Sequence, residues 1–188
     1  MDATADLLRR LDRLEALEAI RAIIARYAVL VDARDVEGLL DLYVPDFNVD
    51  ARRTGRDALR ESFRHMLGGN GIFRTTVHFV GQHDISFDEE HPDRARGVVY
   101  CRAEHEFPEL WVISTLQYWD RYERRNGRWL FAERRLRAFY TTDVLERPNG
   151  PDRVKRQVTD VGLLGKAEVP EAWATWQQFW DELDGPRG

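Results

Sequence analysis

Trp119-Asp120-Arg121-Tyr122-Glu123-Arg124-Arg125-Asn126-Gly127-Arg128-Trp129-Leu130-Phe131 holds two β-forming stretches either side of an Asn-Gly pair. Asn-Gly readily supplies the positive φ angles that a tight hairpin turn demands. The stretch therefore predicts a long hairpin with arms at about 111–124 and 128–140. Upstream, period-two patterning continues in two more segments, about 75–87 and 94–107, separated by Glu89-Glu90-His91-Pro92-Asp93. Pro108-Glu109 interrupts the sequence before the hairpin. Four long antiparallel strands are expected.

The region before them has helical spacing. Leu7, Leu11, Leu14, Leu17, Ile20, Ile24, Tyr27 and Val31 recur every three or four residues, which predicts a helix from Leu7 to about Arg34. Its first two turns are charged enough either to project from the domain or to pack on a partner subunit. A short helix from Val36 to about Tyr43 follows, with Asp35 as N-cap and Pro45 just beyond. Phe47 to Ala51 reads as a short strand. A third helix runs from about Arg56 to Leu67 and is closed by Gly68-Gly69-Asn70-Gly71. Helices followed by antiparallel strands make an α+β fold, with helices covering one face of a curved sheet.

After Tyr140 the periodicity fades. Pro148, Gly150, Pro151, Gly162, Gly165 and Pro170 mark an arm over the surface. A last helix from about Glu171 to Leu183 carries Trp173, Trp176, Phe179 and Trp180 as a docking face. The expected division is therefore an α+β domain over 1–140 and a C-terminal arm and helix over 141–188, packed on the same domain or a neighbouring subunit.

Composition narrows the function. The 188 residues carry a formal net charge of -5, against a nucleic-acid binder that tracks phosphates. Arginines alternate with acids, as in Arg121-Tyr122-Glu123-Arg124-Arg125, and read as a solvated strand face. The single cysteine, Cys101, excludes an intrachain disulfide and a thiolate zinc cluster, and reads as a small buried hydrophobe. No apolar run suits a membrane span, and the first residues lack a signal-peptide pattern, so a cytoplasmic protein is expected. Gly-rich phosphate loops, Gly-x-Ser-x-Gly elbows and paired metal-ligand histidine spacings are missing from the sequence, so neither cofactor nor metal is expected.

Three polar residues interrupt apolar patterns: Asp32, His78 and His105. Asp32 lies at the edge of the Ile20–Ile24–Tyr27–Val31 stripe, where a helix C-terminus disfavours an anion. It is either a solvated terminal aspartate or a site residue. His78 alternates with Thr76 and Val80 on one strand face, with Val77 and Phe79 on the other, and spacing leaves open which face is inward. His105 shares a face with Val99, Cys101, Ala103 and Phe107 and is expected to look into the sheet's interior. His65, His83 and His91 are weaker candidates. Buried polar groups need partners, so a meeting of Asp32, His78 and His105 would satisfy all three and form an acid/base site.

Tyr27 followed by Val31-Asp32-Ala33-Arg34-Asp35, then Thr76-Val77-His78-Phe79-Val80-Gly81, then Asn126-Gly127-Arg128-Trp129 resembles the SnoaL-like family. That family belongs to the cone-shaped α+β superfamily named after nuclear transport factor two. Over about residues 10–140 the chain is most similar to the scytalone dehydratase and hexachlorocyclohexane dehydrochlorinase branch. The resemblance implies a catalytic aspartate and histidine at Asp32 and His78, with a second active-site histidine at His105. Val31 and Ala51 stand where scytalone dehydratase carries tyrosines, which argues against scytalone as substrate. Tyr27, Tyr43 and Tyr118 are the substrate-binding candidates. The implied function is a cofactor-independent lyase acting on a small hydrophobic cyclic substrate, in a homo-oligomer with a trimer favoured. An isomerase or cyclase using the same base is an alternative, as is a non-catalytic binding protein or oxygenase small subunit.

Overall fold

A computed structural model of the protein describes residues 3–68, 75–107, 110–144 and 172–184. Helices α1 (Ala3–Asp32), α2 (Val36–Leu40) and α3 (Gly55–Gly68) precede strands β1 (Thr76–Phe87), β2 (Arg94–Glu106), β3 (Trp111–Arg125) and β4 (Arg128–Asp143). Helix α4 (Ala174–Asp184) follows. The sheet is an antiparallel meander in the order β1-β2-β3-β4. Helix α1 packs against β1 and β4, so it bridges the sheet's two edges across one face. This is the α+β architecture the patterning predicts.

Burial on α1 begins only at Ala16. Ala16, Ile20, Ile24, Tyr27, Leu30 and Val31 enter the core, whereas Leu7, Leu8, Leu11 and Leu14 are exposed. The first half of the helix is held instead by charged contacts, including Arg124 to Asp12 at 2.6 Å and the Arg13 guanidinium over the Phe87 ring. Opposite the buried stripe, the inward row of β3 is closed throughout: Val112, Ser114, Leu116, Tyr118, Asp120 and Tyr122. Phe131 is fully buried between Tyr27, Tyr43 and Tyr122, and joins the helical layer to the sheet.

The hairpin forms where Asn-Gly requires it. Asn126 and Gly127 take φ values of 52° and 76°, and Arg125 pairs with Arg128. Asp35 caps α2 by accepting from the Gly38 N–H at 2.9 Å. Two expectations are corrected. Helix α2 ends at Leu40, and Tyr43 instead pairs in an isolated parallel bridge with Phe131. Phe47–Ala51 is no strand: Asn48 and Thr54 make a single bridge around a turn in which Asp50 accepts from the N–H groups of Arg52 and Arg53.

Three one-residue bulges set which side chains face inward. Gly81 and Gln82 both lie opposite Tyr100, so the inward set changes from Thr76, His78 and Val80 to His83, Ile85 and Phe87. On β4 the extra residues are Ala132 and Phe139. Beyond the β1 bulge, opposite Ile85, Gly97 permits close approach: a Cβ there would stand 2.8 Å from His83 Nε2 and 2.9 Å from the Asp84 carbonyl. Trp173, just before α4, meets the Phe139 ring edge-on at 5.8 Å. The arm expected over 148–170 and the helix-closing Gly69-Asn70-Gly71 lie outside the described residues, as do the side chains of Phe179 and Trp180.

Candidate active site

Asp32 is the last residue of α1, and the chain leaves it in a Schellman-type turn. The Asp35 N–H returns to the Leu30 carbonyl at 3.0 Å and that of Arg34 to Val31 at 3.2 Å. Arg34 occupies the left-handed position, φ 59°, where glycine is usual. This turn holds the Asp32 carboxylate against β1. Because β1 is an edge strand, its outer N–H groups have no ladder partner. One of them, the His78 N–H, donates to Asp32 Oδ2 at 2.9 Å.

The side chains close the same contact. His78 Nδ1 lies 2.7 Å from Asp32 Oδ1, and the Thr76 hydroxyl donates to that oxygen at 2.9 Å. A carboxylate only accepts, so Nδ1 donates its proton to Asp32, and in the neutral imidazole the lone pair is then on Nε2. Burial pushes the Asp32 carboxyl up. Hydrogen bonds from the His78 ring and backbone, the His78 charge and Thr76 outweigh it, leaving Asp32 below the usual aspartate range. It is therefore anionic at neutral pH.

His105 is 6% exposed, as its row on β2 predicts. It pairs across the strands with Thr76, and its ring stands edge-on to that of His78 with centroids 5.8 Å apart. Burial, helped by the His78 charge, lowers its pKa to about 4, so its imidazole is neutral at pH 7. Asp32, His78 and His105 thus converge as the buried-polar pattern suggests.

Tyr27 meets His78 edge-on at 6.3 Å and Tyr118 at 5.8 Å. Burial raises both phenols, although neighbouring Arg134 partly opposes the shift. They stay protonated and can donate. Tyr43 lies deeper, its ring against Phe47, Phe63 and Phe131.

A second buried polar group went unseen in the sequence. The Arg134 guanidinium forks onto Asp120 at 2.9 and 2.7 Å. It sits over the rings of Tyr27, Tyr118 and Phe131 at 4.3, 4.2 and 4.1 Å. Tyr122 donates to Asp120 at 2.9 Å, and His83 Nε2 lies 3.1 Å from the Tyr122 hydroxyl. Arg134 lies in the run Glu133-Arg134-Arg135, which reads as solvated strand surface. The bulge at Ala132 turns it inward, and nothing in the local pattern signals that bulge. Thr76 and Arg34 were also missed, although Thr76-x-His78 alternation put Thr76 beside the histidine.

A cleft of about 780 Å³ runs past Ser86, Phe87, Arg94, Tyr122 and Glu133 at the other end of β1 and includes no member of the histidine pair. It is an open groove of mixed charge. The reactive geometry lies elsewhere, so hydrogen bonding rather than cleft size locates the site. Among the described residues, no helix is long and apolar enough to cross a membrane, and no three His, Cys, Asp or Glu side chains group as metal ligands would.

Comparison with solved structures finds the same architecture. A putative scytalone dehydratase from Novosphingobium aromaticivorans is 27% identical, with 72% of this chain and 92% of that one covered and a TM-score of 0.60. Hexachlorocyclohexane dehydrochlorinase LinA-type3 from Novosphingobium barchaimii is 21% identical, covering 76% and 99%, with a TM-score of 0.63. A putative aromatic ring hydroxylase from Novosphingobium aromaticivorans is 18% identical, covering 70% and 95%, with a TM-score of 0.60. Comparison with curated proteins finds no match. The family model of the SnoaL-like domain matches residues 12–135, and the chain belongs to that family.

Proposed function

We propose that the protein is a cofactor-independent lyase in which His78 removes a proton from carbon and Asp32 orients and charge-balances it. The observation that carries this reading is the 2.7 Å contact between Asp32 Oδ1 and His78 Nδ1, because it leaves Nε2 as the basic nitrogen. The structural likeness to a putative scytalone dehydratase and a hexachlorocyclohexane dehydrochlorinase, both elimination enzymes by name, supports it.

The chemistry suits a cyclic, largely apolar carbonyl compound with a hydroxyl or another small leaving group β to the carbonyl. His78 Nε2 takes the α-proton, and the C–H electrons form the new C=C bond. The C–O bond breaks, and the His78 imidazolium returns its proton to the departing oxygen as water. His105, neutral at working pH, is suited to donate a hydrogen bond to the carbonyl oxygen and not to act as a strong acid. Tyr27 and Tyr118 offer further donors on the same side, with Tyr43 supporting them from the core.

The same base serves an isomerase if the proton returns to a different carbon. Incubation of cyclic β-hydroxy ketones in D2O separates the two: elimination yields the enone, isomerisation places deuterium in a product of unchanged composition. In either case His78→Ala and Asp32→Asn are expected to lower turnover at least about a hundredfold with the fold intact. Near-normal turnover in either variant rejects the proposal. A homotrimer is the expected assembly, checked by sedimentation equilibrium.

A further inference from the structure

We infer that Arg34 is a positioning residue for the Asp32–His78 pair and acts through Thr76; the inference rests on the proposed role of that pair. Arg34 Nη1 donates to the Thr76 hydroxyl oxygen at 2.7 Å and to the Val31 carbonyl at 2.9 Å. A guanidinium has donors only. The Thr76 oxygen must therefore accept from Arg34, and its own proton is turned away, onto Asp32 Oδ1 at 2.9 Å. That leaves Asp32 Oδ1 with two donors, the Thr76 hydroxyl and His78 Nδ1–H, and Oδ2 with the His78 backbone N–H. Each donor favours the anion and one orientation of the carboxylate. Arg34 thus sets the direction of the chain of hydrogen bonds that ends at the imidazole tautomer.

Two features argue against a merely structural role. Arg34 holds φ 59°, a backbone conformation that glycine adopts without strain. Its Nη2 is buried with no hydrogen-bond partner among the described residues, and an orphaned buried donor is a penalty. Glycine would remove both costs and keep the helix end. An arginine here, despite both costs, is accounted for by the proton direction it imposes on Thr76.

The test needs no substrate. Proton–nitrogen NMR of the His78 ring in the full chain reads which nitrogen is protonated and how fast that proton exchanges. The wild type is expected to hold a single Nδ1–H tautomer with slowed exchange. Arg34→Gly, which suits the local backbone, is expected to lose the single-tautomer signature and speed exchange of the Nδ1 proton. Thr76→Val is expected to do the same, and the double variant to add nothing further. Arg34→Lys, whose ammonium also only donates, is expected to restore the wild-type tautomer. A wild-type signature in Arg34→Gly overturns the inference. Should Arg34→Gly fail to fold, Thr76→Val decides alone, and an unchanged signature there overturns it equally. Asp32→Asn is the control: if it too leaves the tautomer untouched, the Asp32–His78 reading itself fails. A change in Asp32→Asn without one in Arg34→Gly removes only the part assigned to Arg34.

Discussion

Asp32 holds His78 at two points, the ring through Oδ1 at 2.7 Å and the backbone N–H through Oδ2 at 2.9 Å. One carboxylate therefore fixes both the strand edge and the rotamer of the imidazole it carries. This double grip joins the end of α1 to β1 across 46 residues of sequence.

The grip has a measurable energy. Hydrogen bonds to charged groups contribute about 1.5–3 kcal/mol when buried. The Asp32 side chain is 27% exposed, so screening reduces that figure. A double-mutant cycle of Asp32→Asn and His78→Ala, followed by urea unfolding, is expected to give a coupling of about 1 kcal/mol. Additive losses would show that the contact carries no coupling.

His105 makes stability depend on pH. Its folded value of about 4 lies below the ordinary 6.5, so between these values the unfolded chain binds more protons. Stability is therefore full above about pH 6.5 and falls as the pH drops towards 4, by about 3 kcal/mol over the window. Burial also depresses His83, which adds a loss of the same sign. His105→Leu is expected to flatten the slope across that range in urea titrations. An unchanged slope would assign the acid sensitivity to other groups.

Arg134 and Asp120 form a buried pair, with side chains 9% and 0% exposed. Removing one partner strands the other charge, so Arg134→Met is expected to cost about 3–5 kcal/mol. The double variant Arg134→Met/Asp120→Leu is expected to recover most of that loss, since neither charge remains to be desolvated. Thermal unfolding of the two variants beside the wild type reads the difference. A double variant as weak as the single one would mean that cation–ring packing, not charge pairing, holds this part of the core.

Gly97 is required by the close approach of the bulged strand. Gly97→Ala puts a methyl group 2.9 Å from the Asp84 carbonyl, a backbone atom that cannot swing aside. A loss of about 1–3 kcal/mol is expected, as for other overpacked sites. Truncating His83 at the same time is expected to relieve only part of it, because the carbonyl contact remains. Complete relief in the double variant would place the strain in the imidazole instead.

Local pattern carried the helices, the four strands and the hairpin because each follows from spacing or from one turn's dihedral demands. Asn126-Gly127 needs positive φ wherever it sits, and Ile20, Ile24, Tyr27 and Val31 share a face in any helix. His105 was legible for the same reason: its row of Val99, Cys101, Ala103 and Phe107 runs unbroken by a bulge, and all five are buried. Asp32 and His78 were legible as candidates, although spacing left their faces open. The resemblance to known relatives supplied their pairing.

What spacing could not carry was phase. A single extra residue reverses every later side chain on a strand. The bulge at Gly81–Gln82 lets His78 and His83 both face inward, and the bulge at Ala132 takes Arg134 from an apparent surface run into an aromatic cage. The amino-acid order alone determined the class of fold and the residues able to do chemistry. Tertiary structure decided their partners, because a bulge's position depends on strands meeting across the sheet, and a carboxylate at a helix end acquires a role only when a strand edge is brought against it.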